Sequence, residues 1–174
     1  MARRSTLPLD ARIFHLIGIG LAITAFFRYT IIKTGGAELI QLIFGEKGSG
    51  KTKKILEIAN QAAEQAKGSV VFVDEDESYM FDLNLSVRFI NAAEYALSGP
   101  KMFYGFLCGI AASDHDLEYI VIDSFMHLVH HDLDSLKEMF DRLDVFSETH
   151  GIKLVLSLSC TPEQLPEFLK IYTA

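Results

Sequence analysis

From Glu38 onward, short apolar runs alternate with longer stretches in which apolar residues recur at helical spacing, the rhythm of a parallel sheet with crossover helices. "LIQLIF" (Leu39 to Phe44) reads as a first strand. Lys51 to Lys67 places Ile55, Ile58, Ala59, Ala62, Ala63 and Ala66 on one helical stripe, and Gly68 stops it. "SVVFVD" (Ser69 to Asp74) predicts a second strand and "VRFI" (Val87 to Ile90) a short third. Gly99–Pro100 opens a helix to about Ser113, apolar on most sides and so expected to be well buried. "EYIVID" (Glu118 to Asp123) reads as a strand covered on both faces. An amphipathic helix is expected from Asp132 to about His150, with Asp132 as N-cap, followed by a fifth strand, "IKLVLSLS" (Ile152 to Ser159). A last short helix is expected from Pro162 to about Ile171. The predicted architecture is a three-layer α/β/α sandwich with a mostly parallel five-stranded sheet, spanning residues 38–174.

The pattern before residue 38 is different. Three arginines precede "IFHLIGIGLAITAFF" (Ile13 to Phe27), an uncharged and mostly apolar run. Fifteen helical residues rise about 22 Å, short of a hydrocarbon core about 30 Å thick. With Arg3, Arg4 and Arg12 held inside, a span would also carry the following domain outside. No small-x-small cleavage site follows, which argues against secretion. Residues 1–37 therefore read as a membrane-associating helix through residues 13–32, a loosely attached tail, or upstream sequence from a misassigned start. The last is the preferred reading, because composition changes abruptly at "TGGAE" (Thr34 to Glu38) and the rest makes a complete domain.

Charge follows the same division. The chain carries a formal −7, yet residues 1–37 hold five basic residues against Asp10, leaving eleven basic and 22 acidic residues in the remainder. A body so acidic repels a phosphodiester backbone and disfavours nucleic acid as the main partner. Cys108 and Cys160 are too few for a disulfide framework or a four-ligand zinc site, and both sit among apolar residues, as expected of buried thiols in a reducing cytoplasm.

The chemistry gathers behind the first strand. "GEKGSGKT" (Gly45, Glu46, Lys47, Gly48, Ser49, Gly50, Lys51, Thr52) matches GxxxxGK[ST], the Walker A phosphate loop, in full. In such a loop main-chain N–H groups converge on phosphate oxygens and the following helix adds its positive end. Lys51 is expected to reach the β and γ phosphates of ATP and the Thr52 hydroxyl to bind Mg²⁺. The motif falls between a predicted strand and a predicted helix, where that mechanism needs it. "YIVID" then ends a strand with Asp123 at its carboxyl edge, a Walker B arrangement able to hold the same Mg²⁺.

With these motifs, and with "VFVDED" and "YIVIDSF", the stretch from about Leu39 to Ser159 resembles the RecA-like ATPases. The resemblance implies that an acid just past the second strand polarises the attacking water, a role that falls on Asp76 with Glu75 as its alternate. It also implies a γ-phosphate sensor at Ser159. The family's usual acid is glutamate, one methylene longer than Asp76. A basic residue from a neighbouring subunit usually completes such a site, with Arg88, Arg142, Lys153 and Lys170 as candidates here. The implied activity is weak Mg²⁺-dependent ATP hydrolysis, raised by homo-oligomerisation or a protein partner.

Two other functions compete. ATP can serve as the ligand of a switch that does not hydrolyse it. Gly45, Gly48, Gly50 and Lys51 also satisfy the GxxGxGK[ST] loop of small-molecule kinases, but after residue 37 only Arg88 and Arg142 remain to build a basic lid. His127 and His131, spaced i, i+4 in "HLVHHD", invite a zinc reading; the position, in an expected loop before Asp132, argues against it.

Overall fold

The computed structural model describes residues 39–173, so the N-terminal segment 1–37 with its apolar run lies outside the described residues. Five strands follow in chain order: β1 (Ile40–Gly45), β2 (Ser69–Asp74), β3 (Val87–Asn91), β4 (Leu117–Ile122) and β5 (Lys153–Ser159). They form one sheet in the order β1-β5-β4-β2-β3, and every pairing is parallel. Parallel strands need crossovers, supplied here by α1 (Lys51–Gln65), α2 (Pro100–Ser113), a short α3 (Phe125–Val129) and α4 (Lys137–His150), except that β2 and β3 are joined by a connection holding only a 3-10 turn at Met80–Asp82.

Strand parity divides the core in two. Val70, Phe72, Val121 and Val155 point to the face covered by Ile55, Leu56, Ala59 and Ala62 of α1. Val71, Val73, Ile120, Ile122, Leu154 and Leu156 point the other way, against Phe103 and Leu107 of α2 and Phe140 and Leu143 of α4. The reversal of faces follows from the reversal of direction: the chain moves across the sheet from β1 to β2 and β3, then returns through β4 to β5. Phe125, fully buried, packs edge-on to Phe103 and Phe140 at centroid distances of 5.5 and 5.9 Å. That packing anchors the turn directly behind Asp123.

Three expected elements differ. The helix expected from Asp132 begins instead with a 3-10 turn at Leu133–Leu136, and the α-helix starts at Lys137. Asp132 occupies the N-cap position, yet its side chain caps nothing; its carbonyl takes the Ser135 hydroxyl and amide. The helix expected from Pro162 shrinks to a 3-10 segment at Glu167–Tyr172, since Pro166 lacks an amide and holds φ at −57° with ψ at 147°, outside the helical basin. In α2 one stripe is buried (Phe103, Leu107, Ile110, Ala111), whereas Met102, Gly105 and Gly109 face solvent, so an apolar composition overstated the burial. Among the described residues no helix is long and apolar enough to cross a membrane.

Candidate functional site

All five strands are parallel, so their carboxyl ends share one edge, and the predicted site residues sit along it. Gly45 ends β1 opposite Ser159 of β5, Asp123 follows β4, and Asp74 ends β2. At about 4.8 Å between neighbouring strands, β1 and β4 stand roughly 10 Å apart with β5 between them. Parity adds the direction. Asp74, Asp123, Ser157 and Ser159 share the parity of Phe72, Val121 and Val155, and so point to the face on which α1 and the glycine loop lie.

The loop from Gly45 to Gly50 makes the turn that its glycines allow. Gly48 and Gly50 have φ of 83° and 86°, values that a β-carbon disfavours. Gly45 is a matter of space, because a Cβ there would stand 2.6 Å from Ser49 Oγ. Lys51 folds back over the loop, donating from Nζ to the carbonyl oxygens of Gly45 (2.9 Å) and Glu46 (2.8 Å). Two of its three protons are thereby fixed.

Helix α1 starts in a way that is unfavourable without a ligand. Gly50 is its N-cap and supplies no side-chain bond, and the first turn contains no acid. That turn instead carries Lys51, Lys53 and Lys54, three cations at the positive end of a 15-residue helix, where anions are the favoured neighbours. Bare main-chain amides, left-handed glycines and lysines together are an arrangement that can receive an anion. Beside it lies an open cavity of about 540 Å³, lined by Gly48, Gly50, Lys51, Thr52, Asn60 and Tyr79, among others.

The acidic half is more tightly built. Asp123 is buried, with Oδ1 taking the amide of Ser124 at 2.8 Å and the hydroxyl of Ser157. Ser124 itself holds a left-handed φ of 53°, an uncommon conformation for serine, and its amide also lies 3.1 Å from Ser157 Oγ. Asp74 is equally buried and caps its own turn, accepting from the Glu75 amide at 2.7 Å. Burial, reinforced by the charge of Asp123, pushes its carboxyl up to about 6.

The two acids expected to polarise water behave differently. Asp76 is exposed and accepts the Ser78 amide at 2.7 Å, and these Ser78 bonds hold its carboxyl below the ordinary carboxylate value. Glu75 is half-buried, with Oε1 lying 2.8 Å from Nδ1 of His127. Ser159 is exposed at the end of β5, two residues beyond the Ser157 that reaches Asp123.

Sequence reasoning missed Asp74 and Ser157 and gave Ser124 no role. Asp74 was legible as the acid closing "SVVFVD", and Ser157 as the polar residue breaking the apolar run of "IKLVLSLS"; the strain at Ser124 left no sequence signal. His127 lies within α3 and His131 beyond its left-handed C-cap His130, so the pair does not share one helix. Among the described residues no cluster of three His, Cys, Asp or Glu side chains can hold a metal ion. Both cysteines are free, Cys160 buried and Cys108 half-buried.

No protein-family model matches the chain, and no curated protein sequence matches it. Among solved structures it is similar to the flagellar accessory protein FlaH from Methanocaldococcus jannaschii, at 16% identity and a TM-score of 0.44, over 76% of this chain and 66% of that one.

Proposed function

We propose that residues 38–174 form an ATP-binding phosphate-loop domain of the RecA-like kind, with weak Mg²⁺-dependent hydrolysis that a second copy or a protein partner raises. One observation carries the reading: the uncapped start of α1, with its run of lysines behind a left-handed glycine turn. Three cations at the positive end of a helix are explained by an anionic ligand that offsets their cost.

Within that reading, the amides of Gly48 to Thr52 and the ammonium of Lys51 bind the phosphate tail. The donor set also fits Mg²⁺, a hard cation that takes hydroxyl and carboxylate oxygens. Both hydrogen bonds to Asp123 fall on Oδ1, which leaves Oδ2 unengaged, and Asp123 with the Thr52 hydroxyl would hold the cation. Bound Mg²⁺ supplies neutralisation of phosphate charge. Glu75 is preferred to Asp76 as the group that orients water, because Glu75 is half-buried and lies against the connection that leaves Asp123, whereas Asp76 is exposed.

The candidate bases for completing the site lie elsewhere in this chain. Lys153 begins β5, at the opposite edge of the sheet, and Arg88 is the second residue of β3. Arg142 pairs with Glu138 at 2.8 Å and Lys170 with Glu167 at 2.7 Å. That placement favours a cation supplied in trans. Phe81 and Leu85 also stand almost fully exposed, 90% and 104%, on the connection between β2 and β3, as side chains awaiting cover do.

The test is ATP binding and turnover of the full chain with Mg²⁺ over a range of protein concentrations. Turnover per chain that rises with concentration supports the shared site. Binding without turnover at any concentration supports the switch instead, and phosphate passed to a metabolite supports a kinase.

A further inference from the structure

His127 stands one turn into α3, in the connection that leaves β4, and Glu75 stands in the connection that leaves the neighbouring strand β2. Their side chains meet across 52 residues of sequence, Nδ1 to Oε1, at 2.8 Å. The surroundings make this contact informative. Glu75 is one of four consecutive acids, and each of the others has a different tie: Asp74 to the Glu75 amide, Asp76 to the Ser78 amide, Glu77 to Asn91 Nδ2 at 3.4 Å. Four carboxylates in a row repel one another, and a flexible glutamate among them is driven outward unless a donor holds it. His127 Nδ1 lies where such a donor is needed. Its own position is fixed by its amide, which donates to Ser124 O at 2.8 Å, and by the buried Phe125 and Leu128 on either side.

We propose that His127 is a positioning residue for Glu75: the imidazole carries its proton on Nδ1, donates it to Oε1, and so fixes the carboxylate with Oε2 left to accept from the attacking water. The inference rests on the hydrolysis reading above. In that reaction the water oxygen bonds to the γ-phosphorus as the bond to the β–γ bridging oxygen breaks. The bridging oxygen departs on ADP with the electron pair, and the proton lost by water passes through Oε2 to bulk solvent. His127 touches none of these atoms. It acts by holding the base in place, and because α3 begins at the Asp123–Ser124 turn, it ties the base to the metal-side strand end.

The test uses the full chain with His127→Ala, His127→Asn and Glu75→Ala, alone and combined. Asparagine places an amide nitrogen where Nδ1 lies, so it keeps the bond without a titrating ring. His127→Ala is expected to lower turnover roughly tenfold through lost orientation, with ATP affinity unchanged. His127→Asn should recover most of that loss, and His127→Ala should do nothing further in a Glu75→Ala background. A second readout needs no nucleotide: ¹⁵N spectra of the ring at mildly alkaline pH should show the Nδ1–H tautomer in the wild type and its loss in Glu75→Ala. Unchanged turnover in His127→Ala, additive losses in the double variant, or a tautomer indifferent to Glu75 would each overturn the proposal. A wild-type chain that binds ATP and Mg²⁺ without turnover fails the hydrolysis reading instead, and the ring spectra still decide whether the contact exists.

Discussion

At the β1 end of the strand edge, the atoms proposed to face a ligand are mostly main-chain amides, joined by Lys51 and Thr52; at the β2–β4 end they are all side-chain atoms. The glycine loop needs only a particular backbone path, which Gly48 and Gly50 permit and the start of α1 completes. The acids need a parity, a burial and a partner. Asp123 is held by Ser157 from the next strand, Glu75 by His127 from the next connection. A backbone receptor is written in a contiguous motif, whereas a side-chain receptor is assembled from residues that meet only after folding.

The largest effect is expected where a single charge serves the backbone half. Lys51→Ala removes the ammonium that spans Gly45 and Glu46 and should weaken ATP binding by about a hundredfold, measured by calorimetry. Affinity within a few-fold of wild type would place phosphate recognition elsewhere.

Asp123→Asn probes the other half. It should leave binding of Mg²⁺-free ATP nearly unchanged while cutting Mg²⁺-dependent turnover by roughly a hundredfold, seen in a magnesium titration of the rate. Equal loss with and without magnesium would erase the distinction between the halves.

The difference also explains how much the sequence disclosed. Each strand was foreseen to within a residue at either end, because apolar runs closed by Gly, Asp or Ser punctuate this chain clearly. The path of the Gly45–Thr52 loop was legible for the same reason: it lies in glycines and in position between two elements. Asp74 and Ser157 needed the sheet order, which places β5 and β2 on either side of β4 and so brings three polar side chains to one face. The wrong helix at Pro162 arose from reading helical composition through Pro166.

A smaller effect is expected from Ser157→Ala, which takes one of the two donors from Asp123 Oδ1. A buried carboxylate losing a hydroxyl partner should cost about 1–2 kcal/mol of stability, visible as a shifted denaturant midpoint. No shift would mean that the serine is incidental to the acid.

Asp74→Asn should act in the opposite direction. The folded carboxyl holds its proton up to about 6 against an ordinary 3.8, so the folded state binds more protons than the unfolded one across that window. Stability contributed by this group therefore falls as pH rises from about 4 to about 6, and the full penalty persists above it. Asparagine removes that penalty, raising stability of the ligand-free protein by about 1–2 kcal/mol at neutral pH and by nothing below about pH 4, read from melts across pH. A pH-independent difference would show that Asp74 is ionised in the fold at no cost.

The most direct measurement is a titration of ATP with Mg²⁺ into the ¹⁵N-labelled full chain, following the backbone amides. The amide signals of Gly48, Gly50, Lys51 and Thr52 should move together and saturate at one ATP per chain. If those signals stay in place while ATP is added, or if only distant amides respond, the loop does not grip phosphate and the proposed function fails.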